Sequence, residues 1–347
     1  MKRRSKSFYF ALFILILGVA MFSSASLHRA ETSLSNQDCN HPTWGFFGHK
    51  KINELAVYTL PAPLFEFYKY HLDYMIDHSV DPDKRRYGVV GEAECHYIDM
   101  DRYIDAEHPN PFDAVPRRWT DAVAKYSEDT LRAHGIVPWN VYFVTTKLTK
   151  AFQEENLPRI LRLSAELGHY LGDAHVPLHS TSNYNGQKTG QRGIHGFWES
   201  RVPELFFEDY DLWTGRCFYI NSPQSYIWDR IEESFAAVDS VLRIERELTI
   251  SFGEDRKYSF ETRGQVNTKV YSKEFSAAYS ALLDRQIERR MKQAILSVGS
   301  YWYTAWIDAG QPDLSKFIRP NSSVESDTLS IDLPGNSPNV KVRDHDN

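Results

Sequence analysis

Histidine and carboxylate stand four residues apart twice in a short stretch of this chain, His169 with Asp173 and His195 with Glu199, and His179 lies between the pairs. On a helix, residues i and i+4 share a face. Each pair can therefore bring an imidazole nitrogen and a carboxylate oxygen to one point. These are donors that zinc takes at roughly 2.0–2.2 Å. Ions of this kind a few ångströms apart generate a nucleophilic hydroxide at neutral pH. They also neutralise charge on the attacking and leaving oxygens of a phosphate ester. One such pair alone is more often a surface or capping interaction, but five donors between positions 169 and 199 converge on a metal site.

Donors of this kind must be held by helices, and the apolar spacing supplies them. Ile52, Leu55, Ala56 and Leu60 predict a helix over 50–60, stopped by Pro61 and Pro63. Pro82, Gly88 and Gly91 mark a loop around 81–94. Helices are expected over 119–134, with Gly135 just past the end, and over 139–155 and 158–174. A Gly-, Asn-, Gln- and Thr-rich loop spans 181–194, and helix resumes over 195–207 with Pro203 interrupting it. Helical spacing returns over 225–252 and over 272–309, where Phe275, Leu282, Met291, Ile295 and Trp302 are among the apolar positions. Period-2 runs are nearly absent, so the fold class is all-α, one multi-helix domain over 44–318.

The chain has 347 residues, a net charge of −6 and a pI near 6.1. That balance gives no general attraction to nucleic acid or anionic lipid, so an anionic substrate must be drawn in locally. The basic start Met1–Lys6, the apolar run Phe8–Phe22 and the small residues Ser23–Ala25 read as a signal peptide over 1–25. A linker over 26–43 follows, and the secreted or periplasmic space is the expected location. Residues 319–347 lose hydrophobic periodicity and read as a disordered tail. Three cysteines, Cys39, Cys95 and Cys217, make no disulfide framework; at most one pair forms. Cys95 reads as a small buried thiol. His71, His78, His108 and His134 read as ordinary surface or core residues, and His175 as a structural hydrogen-bonding group.

The motifs resemble a known superfamily. His169-Tyr-Leu-Gly-Asp173, the phrase Gly172-Asp-Ala-His-Val-Pro-Leu-His179 and Gly193-Ile-His195 followed by Glu199 look like bacterial zinc-dependent phospholipase C. The single-strand-specific zinc nucleases of fungi and plants share the superfamily. Trp44-Gly-Phe-Phe-Gly-His49 is similar to their start, and His96-Tyr97 to their loop histidine and aromatic. The resemblance runs from Trp44 to about Glu199 and implies an all-helical fold holding three zinc ions. By matching positions, His96, His169, Asp173 and a loop aspartate hold the first. His179, His195 and Glu199 hold the second, and Trp44, His49 and the other oxygen of Asp173 the third. Asp83 is preferred as the loop aspartate over Asp81, because Arg86 then completes the family's Asp-x-x-Arg, whose Arg can hold a phosphate oxygen. In the family this Asp can also act as general base. The family's Trp offers a free α-amino group to zinc, whereas cleavage after Ala25 leaves residues 26–43 ahead of Trp44.

His-Tyr-Leu-Gly-Asp, Glu199 where the nucleases more typically carry Asp, and the lack of evident cysteine pairs favour the phospholipase-like branch. The Trp-Gly-x-x-Gly-His start and the Pro-Leu-His ending favour the nucleases. Phe46, Phe47, Tyr184, Phe197 and Trp198 could line a substrate pocket or simply fill the core. The expectation is a zinc-dependent phosphodiesterase, phospholipase C-like, with Asp83 and Arg86 as catalytic residues. A single-strand-preferring zinc nuclease is the alternative, and an exported protein that zinc only stabilises is a third reading. The implied partner is a phosphodiester substrate, phospholipid or single-stranded nucleic acid, with transient contact to a membrane surface and no stable protein partner.

Overall fold

The computed structural model of the protein describes residues 44–263 and 266–318. The expected signal peptide, linker and tail lie outside the described residues, as do Cys39 and the side chain of Trp44.

The first helices are α1 (Trp44–Val57), α2 (Ala62–Tyr70), α3 (Leu72–Asp77) and the short α4 (Asp81–Arg85). The segment expected as a loop around 81–94 thus begins with a helical turn, for which Pro82 has the fixed φ a first turn needs. Helices α5 (Trp119–Tyr126) and α6 (Glu128–Ala133) replace the single helix expected over 119–134. The break is Ser127, at φ 69°, whose hydroxyl accepts the Thr130 N–H at 3.4 Å and caps α6. Two long helices follow, α7 (Val137–Gln153) and α8 (Leu157–Ala174).

Helix α8 is the axis of the molecule. Asn156 caps it by accepting the Arg159 N–H at 3.1 Å, and the chain turns out of helix at His175, just before Pro177. Every residue from Leu163 to Ala174 is buried, because α1, α3, α7 and α11 (Gln286–Asp308) pack around it. A helix buried all round belongs to the core. Its polar residues Glu166, His169 and Asp173 therefore lie where a charge must be paired. The packing is aromatic: Trp302 of α11 stacks on Tyr68 with centroids 4.7 Å apart and donates to the Ser164 carbonyl at 3.0 Å.

Beyond α8, the helical stretch expected over 195–207 is divided. A turn at Ile194–Gly196 leads into a π turn at Phe197–Arg201 and then a short helix at Val202–Phe206, with Pro203 in its first turn. Helix α9 spans Pro223–Phe252 and is capped by Ser222. The long helix expected over 272–309 is two, α10 (Lys273–Leu282) and α11, separated by Asp284 and Arg285 at φ 49° and 57°. Between α9 and α10 lies an antiparallel hairpin that the all-α expectation omits, β1 (Tyr258–Arg263) paired with β2 (Val266–Tyr271), register Tyr258 to Tyr271. Neither strand buries a continuous face, so no apolar alternation announces them; Phe260 is 75% exposed and Val266 64%. The hairpin apart, the regular secondary structure of the described residues is helical. Among the described residues no helix is long and apolar enough to cross a membrane.

Candidate metal centre

Eight of the residues singled out from the sequence meet at α8. His49 comes from α1, Asp83 from α4, His96 from the turn Ala93–His96, and His169 and Asp173 from α8 itself. His179 comes from the turn Pro177–Ser180, and His195 and Glu199 from the segment after the 181–193 loop. They form three groups whose donor atoms lie within 4.8 Å of one another: His49, His169 and Asp173; Asp83, His96 and His169; His179, His195 and Glu199. Trp44 begins α1, five positions before His49.

The spacing of the donors can be tested against a cation. Four ligands placed tetrahedrally at about 2.1 Å stand about 3.4 Å from one another. Asp173 Oδ1 is 3.3 Å from His49 Nε2, and Asp173 Oδ2 is 3.3 Å from His169 Nε2 and 2.9 Å from His96 Nδ1. Asp83 Oδ1 lies 3.6 Å from His169 Nε2 and 3.7 Å from His96 Nδ1. Glu199 Oε2 lies 2.5 Å from His195 Nε2 and 3.5 Å from His179 Nε2. The distances cluster around the tetrahedral edge, and the donors are the nitrogen and oxygen set of a borderline metal. Each group could hold a metal ion. Asp173 faces two groups with its two oxygens, and its Oδ1 is 3.8 Å from His179 Nε2, which joins the third.

The remaining ring nitrogens settle which atoms face inward. His169 Nδ1 meets the Ser79 carbonyl at 2.9 Å, His179 Nδ1 the His96 carbonyl at 2.6 Å, and His195 Nδ1 the Tyr184 carbonyl at 3.0 Å. A carbonyl only accepts, so each Nδ1 carries the proton and each Nε2 offers its lone pair. His96 is turned the other way, Nδ1 inward, and its Nε2 is 3.5 Å from the Glu92 carboxylate.

His49 reaches the centre because α8 carries glycine where α1 crosses it. A Cβ on Gly172 would lie 2.8 Å from His49 Nδ1, and one on Gly168 would collide with the Asn53 side chain. Asn53 in turn donates to the His49 carbonyl at 3.1 Å.

Burial and close packing of like and opposite charges shift the titration of several of these groups. Burial pushes the Asp83 carboxyl up, against the pull of His96 and His49, and nearby Asp173 adds to the rise. Burial works the same way on Asp173, yet His169, His179, His49 and His96 together hold it well below the usual carboxylate range. Burial and the nearby His49 keep His169 well below the ordinary imidazole value. His96 goes the other way: burial opposes its charge, but Asp173 and Glu92 raise it to about 9.

Arg86 is buried beside the cluster, with Nη1 3.8 Å from Asp83 Oδ1 and with Nε and Nη2 lacking any hydrogen-bond acceptor. Asp81, the other candidate for the loop aspartate, faces away: it pairs with His78 at 2.5 Å and Lys84 at 2.9 Å. Of the aromatics that could line a pocket, Phe197 and Trp198 are core side chains, whereas Phe46, Phe47 and Tyr184 are half-buried. His175 is a packing residue, bonded to the Leu171 carbonyl and to Ser297. Cys95 is buried, its thiol donating to the Gly91 carbonyl and pushed up by burial.

The sequence reading missed a buried network behind His96. Arg85 donates to Glu92 at 2.7 Å and to Glu166 at 2.8 Å, and Tyr170 donates to Glu92 at 2.5 Å. Burial alone would raise the Glu92 carboxyl, but His96 and Arg85 hold it at about 2. The signal was present: Glu92 precedes His96 by the same four positions that mark the other pairs. No protein-family model matches the chain, and no curated protein matches it.

Proposed function

We propose that the protein is an exported zinc-dependent phosphodiesterase, closest in activity to phospholipase C. The observation that supports it best is the juxtaposition of an eight-residue nitrogen and oxygen donor set with Arg86, a buried guanidinium whose Nε and Nη2 have no acceptor in the protein. A cationic side chain buried without an acceptor is costly unless a ligand completes it. A phosphate oxygen is the acceptor a guanidinium fits best.

Zinc bound here would supply acidity to a coordinated water and neutralise charge on phosphorus-bound oxygens. His96, His169, Asp173 and Asp83 would hold one ion, and His179, His195 and Glu199 a second. A third would lie by His49 and Asp173. Asp83 orients the attacking water and takes its proton; burial raises its affinity for that proton. Arg86 holds the phosphate against the charge that develops in the transition state. The apolar run Phe8–Phe22 supports export.

The test is a side-by-side assay on phosphatidylcholine and single-stranded DNA, with and without chelator. Hydrolysis of the lipid, lost with chelator, is expected. Preference for DNA reverses the order and makes the protein a nuclease. His169→Ala with His195→Ala is expected to abolish either activity. Bound zinc without hydrolysis of either substrate would leave zinc a purely stabilising role and sink the enzymatic reading.

A further inference from the structure

Among the imidazoles of the centre, His96 alone has a carboxylate behind it. His169, His179 and His195 rest their outer nitrogens on neutral backbone carbonyls, while His96 Nε2 looks onto Glu92 Oε1 at 3.5 Å. That carboxylate is itself rigid. Arg85 and Tyr170 grip its two oxygens, and Arg85 is anchored to Glu166 on α8. Tyr170 follows the donor His169 directly in sequence, so the network is built from the same helix as the centre. His96 also matters twice: its ring enters one group, and its carbonyl orients His179 in another.

We propose that Glu92 is a positioning residue for the metal centre, fixing the His96 imidazole with Nδ1 inward and Nε2–H outward and, through the His96 peptide, steadying His179 in the neighbouring group. The negative charge at Glu92 makes His96 a more basic ligand, an effect a neutral carbonyl does not match. At 3.5 Å His96 Nε2 faces Glu92 without a formed hydrogen bond, and a cation on Nδ1 would confine the ring proton to Nε2, on the side of that carboxylate. This inference rests on the metal-centre reading and is independent of whether the centre hydrolyses anything.

The experiment measures zinc stoichiometry and dissociation constants by competition with a chromophoric chelator, and the visible absorption spectrum after cobalt replaces zinc. Glu92→Gln keeps the side-chain shape and removes the charge. The expected result is a loss of zinc affinity of roughly 10- to 100-fold, typical for a residue that supports a ligand from behind, with an altered cobalt spectrum. Glu92→Gln also weakens the buried pair with Arg85, so the metal-free variant should melt below the metal-free wild type; the cobalt spectrum is the readout that a merely structural role would not move. Wild-type zinc affinity and an unchanged spectrum in Glu92→Gln overturn the proposal. Should that variant fail to fold, Tyr170→Phe decides instead. It leaves Glu92 charged and held by Arg85 but frees one oxygen, and a smaller loss in the same direction is expected; unchanged affinity overturns the proposal. A wild-type protein that binds no zinc sinks this inference and the metal-centre reading together. One that binds zinc without hydrolysing any phosphodiester sinks only the enzymatic reading.

Discussion

Gly172 of α8 leaves the space that His49 of α1 occupies: a Cβ on that glycine would lie 2.8 Å from His49 Nδ1, inside any ordinary contact. Two effects compete in Gly172→Ala. Alanine is the better helix former by about 1 kcal/mol, whereas overpacking a dense interior costs about 1–3 kcal/mol. His49 sits 2% exposed and has little room to retreat. The clash wins, and His49 moves away from Asp173 Oδ1. Gly172→Ala should bind one cation fewer or more weakly while melting at a slightly lower temperature. Elemental analysis of dialysed protein beside a thermal melt checks this; full occupancy would show that His49 is dispensable.

Arg86→Met separates binding of substrate from binding of metal. Losing a donor aimed at developing charge typically costs about 10²–10³-fold in turnover. Zinc content should not change, because Arg86 is not among the donors. Removing the guanidinium relieves two buried N–H groups without acceptors but also takes a counter-charge from Asp83, so a small change in stability is expected. A variant that loses activity and keeps its zinc is expected. Unaltered turnover of a phosphodiester would remove Arg86 from the mechanism.

Acidity should act in opposite senses on the metal-free and loaded forms. In the metal-free protein the His96 pKa rises from 6.5 to about 9, since Asp173 and Glu92 outweigh burial. A raised folded-state value means stability fully present below 6.5 and lost as pH climbs through about 9. A cation must displace that same proton, so its affinity grows over the same interval. Melting temperatures of the chelated protein should fall from pH 6.5 to 9 while zinc dissociation constants shrink. Zinc dissociation constants that stay level or grow over that interval would contradict the assignment of His96 as a ligand.

The loop that leads into His195 is tied to α9. Gln191 Nε2 donates to Glu245 Oε2 at 2.5 Å, and Lys257 Nζ pairs with Glu245 Oε1 at 2.6 Å within reach of the Tyr258, Tyr271 and Phe275 rings. Breaking a buried pair from one side costs about 3–5 kcal/mol. Lys257→Met should lower the melting temperature and raise hydrogen exchange across 181–194. If exchange there stays slow, the loop is held by its own turns, such as the Asn185 side chain accepting the Gly193 N–H at 2.9 Å.

What could be read from the sequence depended on how local the signal was. His169 and Asp173 were legible because a regular helix makes four positions one face, and α8 is regular throughout. His195 and Glu199 obey the same spacing, yet the chain between them passes from a single α turn into a π turn, which the residues alone do not announce. The breaks at Ser127 and at Asp284–Arg285 were invisible, since non-glycine residues in left-handed conformation carry no compositional mark. The hairpin was missed because neither strand alternates toward a core. Glu92, Arg85 and Tyr170 were missed because their meaning is tertiary: Arg85 and Glu92 read as solvated charges until Tyr170 and Glu166 of α8 are seen behind them.

His169 Nδ1 is spent on Ser79, so one lone pair remains for two of the three donor groups. A lone pair serves one cation. If His169 commits to the ion shared with Asp83 and His96, His49 keeps only Asp173 Oδ1, 3.3 Å away, as a protein partner from its own group. The capacity of the centre is therefore counted in lone pairs rather than residues. Were cations to bind, two well-furnished berths would fill first, and the corner beside the start of α1 would take its ion last and surrender it first.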